Sequence, residues 1–155
     1  MNVSCPTKNS SNKSIPEVAL AILYREGEFL LQLRDNIPMI LYPGYWTLFG
    51  GHLELNESPE IAVKREIWEE IAFQLTQPQY FSCYQDEAAI RHVFYAPLTV
   101  PLTQLNLQEG WDFALVPKEA IIAGQVYSAQ AQQTRPLGPT HQRILLDFLA
   151  ARLNQ

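Results

Sequence analysis

Apolar and polar residues are patterned in two runs, Glu17 to Tyr24 and Glu28 to Arg34, on either side of Arg25-Glu26-Gly27. This predicts a β-hairpin in which glycine supplies the turn. Asp35 to Tyr45 contains Pro38, Pro43 and Gly44 and reads as a loop, and Trp46 to Phe49 reads as a short apolar strand that runs into Gly50-Gly51. The period then changes. Ser58 to Ile71 predicts a helix, with Ser58 as N-cap, Pro59 at the first helical position and Glu60 complementing the positive end of the dipole. Tyr80 to Tyr84 and Arg91 to Leu98 predict strands. Pro117 to Ile122 predicts a short helix and Thr140 to Leu153 a longer one, with Ile144, Leu145, Phe148 and Leu149 on one face. The order of elements implies an α/β or α+β domain with helices covering a mixed sheet, and no repeat or linker divides it. Met1 to Ile15, rich in Ser, Asn and Lys, reads as a polar tail, which leaves residues 16–155 as the domain.

Composition narrows the function classes. A chain of 155 residues suits one core, and a hydrophobic content of 47% is that of a globular protein rather than a disordered one. The formal net charge of -5 argues against a binder of nucleic acid polymers, which needs clustered Lys and Arg to neutralise phosphates. Phosphate, if bound, must be met by a few placed cations or by metal ions. Cys5 falls in the polar tail and Cys83 in a strand, so neither a disulfide framework nor a paired metal-ligand spacing is expected. The longest apolar run, Val18 to Leu23, is too short to span a membrane, and a cytoplasmic location is the expectation.

The segment from Gly51 to Phe73 carries the candidate chemistry. At about 100° per residue, Glu66, Glu69 and Glu70 fall within an arc of roughly 100°, while Ile61, Val63, Ile67, Trp68 and Ile71 occupy most of the remaining circumference as core. Three carboxylates so close repel one another, and each ionised neighbour makes the next harder to ionise. A cation offsets that repulsion, and hard oxygen ligands favour magnesium, with manganese as the alternative. Arg65 adjoins the arc, and its planar fork can hold a carboxylate, the candidate being Glu57 in the preceding loop. Gly50-Gly51 lets the backbone approach a ligand closely. A lone acidic pair on a helix is ordinarily a solvated face, but this pattern is longer.

Gly51, Glu57, Arg65, Glu66, Ile67, Glu69, Glu70 and Phe73 all match the Nudix box, G-x5-E-x7-R-E-U-x-E-E-x-G-U with U a bulky apolar residue, and the chain therefore resembles the Nudix hydrolase family. With six polar or glycine positions each at a frequency of about one in fifteen, a chance match at a given start is on the order of 10⁻⁷. The likeness extends over Ile15 to about Leu98. The box departs from the family where Ala72 stands for glycine at the end of the helix, and Phe49 stands where many members have proline. A left-handed alanine is strained, so the helix is expected to run on by about a residue or to end in a right-handed turn.

The resemblance implies an α/β/α sandwich around a mixed β-sheet, in which Glu66, Glu69 and Glu70 are metal ligands, the Gly50 carbonyl is a further one, and Glu57 and Arg65 orient them. It implies hydrolysis of a diphosphate linkage in a nucleotide-like small molecule by metal-activated water. Family members are often dimers. Family members also often supply another carboxylate from a downstream loop as metal ligand or base, which makes Glu109 the leading candidate, with Asp112 second. Gly51, His52, Tyr45 and Trp111 are candidate substrate contacts, as is Tyr42, since stacking on a base needs only a π-face. His92 and His141 read as structural. The alternative to an enzyme is a binding module of the same fold that recognises a nucleotide without turnover, and the complete carboxylate set weighs against it.

Overall fold

The computed structural model describes Cys5 and residues 15–153. Apart from Cys5 and Ile15, the expected polar tail lies outside the described residues. The hairpin of β1 (Glu17–Arg25) and β2 (Glu28–Leu33) turns through Glu26 and Gly27, at φ 51° and 81°. Two successive left-handed residues match the right-handed twist of the flanking strands.

The strands of the hairpin pair only near the turn, at Tyr24–Phe29 and Arg25–Glu28, and then part. Into the gap between them comes the next segment. Its first half, β3 (Trp46–Thr47), pairs with Gln32 and Leu33 of β2, and its second half, β4 (Phe49–His52), pairs antiparallel with Val18 to Ala21 of β1. The single strand expected at Trp46 to Phe49 is thus two short ones, and the paired glycines lie inside the sheet. On the other side of β1 runs β6 (Ile90–Pro97), parallel to it, followed by antiparallel β5 (Gln79–Gln85) at the edge. β7 (Asp112–Pro117) closes the opposite edge against β2.

Alternation along these strands builds two cores. Ala19, Ala21, Leu23, Leu30, Phe94 and Ala96 face α1 (Pro59–Ile71), which buries Ala62, Val63, Ile67 and Ile71 against them. Leu20, Ile22, Leu31, Leu33 and Val93 face α2 (Lys118–Ala123) and α3 (Pro139–Leu153), packing on Ile121, Ile144, Leu145 and Phe148. The result is a mixed sheet between helical layers, the α/β/α sandwich that the resemblance implies. A small hairpin, β8 (Gln125–Ser128) with β9 (Gln133–Pro136), lies outside the main sheet. Among the described residues no helix is long and apolar enough to cross a membrane.

Three expectations need correction. Ile61 and Trp68, assigned above to the core, are 60% and 59% exposed; seven residues apart on α1, they share its outward face. Cys5 and Cys83, for which no pairing was expected, are joined as a disulfide across 78 positions in sequence. Composition and spacing carry no trace of a contact made only by the tertiary fold. Lastly, Ala72 ends α1 in the left-handed conformation, at φ 54° and ψ 34°. What outweighs the strain is the pair of apolar side chains beyond the turn, Phe73 and Leu75, which are 6% and 5% exposed in the core under α1. Burying two such side chains is worth about 3–6 kcal/mol, against roughly 1–2 kcal/mol for a left-handed alanine.

Candidate active site

Ser58 caps α1 through its hydroxyl, which accepts from Ile61 N, and the helix then delivers its acids along one flank. Arg65 lies at the centre of a charged cluster. Its Nε and Nη2 donate to the two carboxylate oxygens of Glu57, both at 2.7 Å, the bidentate pairing expected from the sequence. Nη1 donates to Glu66 at 2.9 Å and to Glu69 at 3.2 Å, and Nη2 also reaches the His52 carbonyl at 3.0 Å. One guanidinium therefore fixes the rotamers of three glutamates and ties the preceding loop to the helix. The Arg65 hydrogen bonds, helped by the Glu54 N–H, hold the Glu57 carboxyl down at about 2, so it stays ionised and keeps the fork closed.

The glycines do steric work at this point. Gly50 has a φ of 145°, and a Cβ there would fall on the Ala19 carbonyl oxygen of the neighbouring strand. A Cβ on Gly51 would fall on the Glu66 carboxylate, so only glycine lets that group lie against the sheet. Gly50 N donates to Glu70 Oε2 at 3.2 Å. Burial pushes the Glu70 carboxyl up to about 8; the Gly50 N–H and the Arg34 charge act against this, and the charges of Glu66 and Glu109 add to it.

Glu66, Glu69 and Glu70 face an open cavity of about 680 Å³, and Glu109 lines it with them. Glu109 is placed by backbone bonds at both ends of its loop. Asn106 N and Gln108 N donate to the Ile71 and Glu70 carbonyls, each at 3.0 Å, which caps the end of α1, and Trp111 N donates to the Leu33 carbonyl at 2.8 Å. Asp112, the second downstream candidate, is engaged elsewhere: it accepts from the buried Ser128 hydroxyl at 2.6 Å.

Gln32 and Arg34 line the same cavity. By strand alternation, Leu30 and Gln32 of β2 and Arg34 just beyond its end share one face, apolar under α1 and polar where the cavity opens. The Arg34 Nε is buried with no hydrogen-bond partner among the described residues. Sequence reasoning missed this residue; the available signal was a cation ending an apolar strand in a chain with only 11 Lys and Arg.

Other expected contacts do not come together here. Trp111 packs against the core on the α3 side of the sheet. Tyr45 meets Tyr42 edge-on with ring centroids 6.2 Å apart, and Tyr42 meets the buried His141 at 5.5 Å. Tyr42, Tyr45 and Trp111 are absent from the cavity lining because the loop that carries both tyrosines packs onto α3, and the Leu33 carbonyl holds the Trp111 backbone at the sheet edge. His52 lies at the exposed end of β4 and enters the site through its carbonyl, not its ring. His141 is structural as expected: its Nδ1 accepts from Leu48 N at 3.1 Å.

The family model for the NUDIX domain matches residues 14–137. The chain belongs to the NUDIX family. Among curated relatives of this NUDIX chain, a CTP pyrophosphohydrolase of Escherichia coli (strain K12) is 31% identical over 139 residues, covering 88% of the chain and 93% of the relative. The solution structure of the E. coli ORF135 protein superposes with a TM-score of 0.66 at 25% identity, covering 91% of the chain and 93% of that structure. The NUDIX domain of Shewanella oneidensis NrtR, solved with ADP ribose, shares the fold at a TM-score of 0.67 and 19% identity, over 95% of the chain and 94% of that domain.

Proposed function

We propose that this NUDIX protein hydrolyses a diphosphate linkage in a nucleoside diphosphate derivative, with nucleoside triphosphates as the first class to test. The observation that carries the reading is the convergence of Glu66, Glu69, Glu70 and Glu109 on one cavity that Arg34 also lines. The extended similarity to a CTP pyrophosphohydrolase supports the substrate class.

The donor set suits magnesium. The side-chain donors are all carboxylate oxygens, and burial of Glu70 beside the charges of Glu66 and Glu109 disfavours its ionisation and calls for a cation. Glu66, Glu69 and Glu70 would hold the ion, with the Gly50 carbonyl as a further ligand. When bound, such an ion neutralises phosphate oxygens and makes nearby water more acidic. The chain's own groups do the rest. Arg65 and Glu57 keep the helix carboxylates in fixed rotamers, so little reorganisation is needed on substrate binding. Arg34, which lines the cavity, would turn its guanidinium to a phosphate oxygen of the substrate. Glu109 takes the proton from the attacking water at its carboxylate. The water oxygen bonds to phosphorus, the anhydride P–O bond breaks, and a nucleoside monophosphate departs with pyrophosphate or another phosphorylated product.

The test is a panel of nucleoside triphosphates, nucleotide sugars and dinucleotides incubated with and without magnesium, with products followed by chromatography. Magnesium-dependent release of a nucleoside monophosphate is expected. Tight binding with every nucleotide recovered intact would establish the binding module instead.

A further inference from the structure

Away from this cavity, four side chains meet where the edge strand β5 runs beside β6. Cys83 and His92 are direct partners in the ladder, on the sheet face that carries Phe94 and α1. Cys5 is bonded to Cys83, and its sulfur lies 3.8 Å from His92 Nδ1. Both sulfurs and a ring nitrogen of His92 fall within 4.8 Å of one another. The other ring nitrogen, Nε2, lies 2.8 Å from a carboxylate oxygen of Glu17. Among the described residues, Glu17 from β1 and His92 from β6 are titratable groups beside the sulfurs, and Arg91, next to His92 on β6, pairs with Asp86 at 2.9 Å. Cys5 is the more exposed sulfur residue, and Cys83 is 9% exposed.

A disulfide that only ties two segments together has no need of an imidazole beside it or of a carboxylate behind the imidazole. In this order, carboxylate, imidazole, sulfur, the groups do chemistry: the carboxylate holds one ring nitrogen and turns the other to the sulfurs, where it can hydrogen-bond a leaving thiolate. We propose that Cys5 and Cys83, with His92 and Glu17, form a thiol–disulfide exchange site that a dithiol reductant opens and an oxidised dithiol closes. A thiolate of the reductant attacks the more exposed sulfur, that of Cys5. The electron pair of the S–S bond passes to Cys83, which leaves as a thiolate beside the His92 ring and takes up a proton. The second thiol of the reductant, once deprotonated, attacks its own sulfur in the mixed disulfide and releases Cys5. Two electrons and two protons pass from the dithiol to the chain, and the reductant becomes a disulfide.

The experiment uses the full chain, reduced with dithiothreitol and freed of it. Alkylation by iodoacetamide is followed by mass spectrometry as a function of pH. A faster-reacting cysteine half-titrating at least about one unit below the ordinary thiol value near 8.5 is expected, returning towards 8.5 in His92→Gln. Because His92 is buried in a central strand, Glu17→Gln serves as the second variant, and its half-titration should lie between those two. In the oxidised chain, reduction by dithiothreitol at neutral pH should slow about tenfold in either variant. A half-titration at or above 8.5 in the unsubstituted protein would overturn the proposal, as would a disulfide that dithiothreitol opens only after denaturation. So would one zinc ion retained by the reduced chain through dialysis, since the cluster would then be a thiolate–imidazole metal site.

Discussion

Replacing Ala72 by glycine should stabilise the protein without touching its chemistry. Ala72 sits at φ 54° with its N–H donated to the Trp68 carbonyl at 2.9 Å, and the chain turns there so that Phe73 and Leu75 can enter the core. A Cβ in that conformation costs roughly 1–2 kcal/mol. Glycine removes that cost but adds freedom to the unfolded chain, which takes back about 0.4–1 kcal/mol. Taken from the middle of each range, the net gain is about 0.5–1 kcal/mol. For a chain of this length each kcal/mol moves Tm by about 2–4 °C, so Ala72→Gly should raise it by about 1–4 °C. Differential scanning calorimetry under reversible conditions reads this directly, with turnover measured on the same preparations and expected to be unchanged. A Tm that stays level or falls would mean that the helix end is not left-handed in solution, and the balance of burial against strain drawn above would be wrong.

Three further outcomes follow from the site and its supports. Glu109→Gln removes the proposed proton acceptor while keeping its shape, so kcat should fall by about 10²–10⁴-fold with KM little changed, provided chemistry limits turnover; an unchanged kcat would return Glu109 to an ordinary loop acid. Gly51→Ala places a Cβ on the Glu66 carboxylate, and magnesium affinity measured by calorimetry should weaken by roughly 10–100-fold while the fold persists; unaltered affinity would remove Glu66 from the ligand set. Burial holds the His141 pKa down at about 3, whereas the unfolded chain binds that proton near pH 6.5. The stability this neutral ring supplies is complete above about pH 6.5 and is lost as pH falls towards 3, at up to about 1.4 kcal/mol per pH unit. Urea denaturation at pH 7 and pH 5 should show this loss in the natural protein and a smaller one in His141→Gln, which keeps an acceptor for Leu48 N; equal losses would refute it.

The parts of the fold that could be read in advance are those where local chemistry and tertiary packing agree. Ser58, Pro59 and Glu60 mark the start of α1 whatever it packs on, and β1, β2 and β6 show their burial as apolar runs. β7 escaped notice because Asp-Phe-Ala-Leu-Val-Pro is short and bounded by residues that suit loops, and its pairing partner β2 is about 80 positions away. The polar strands β8 and β9 pair only with each other and carry little apolar signal. In the site, the fork between Arg65 and Glu57 was legible because both belong to one motif eight positions apart. The position of Glu109 in the cavity lining depends on a loop beyond the motif, and Arg34 was passed over because an isolated arginine has no motif. Tyr45 and Trp111 pack elsewhere than the cavity for a related reason: an aromatic in a loop has a π-face in any environment, and the sequence carries no sign of what that face packs on.

The central claim, that the acidic flank of α1 supports magnesium-dependent hydrolysis, is tested most directly at Glu69. This carboxylate is half-exposed, bonds only to Arg65 among the hydrogen bonds seen, and can lose its charge with little effect on packing. The measurement is magnesium-dependent turnover of Glu69→Gln beside the natural protein, on the best substrate from the nucleotide panel, with circular dichroism confirming an unchanged fold. The account predicts loss of most of the magnesium-dependent rate. Full activity in the folded variant would contradict it.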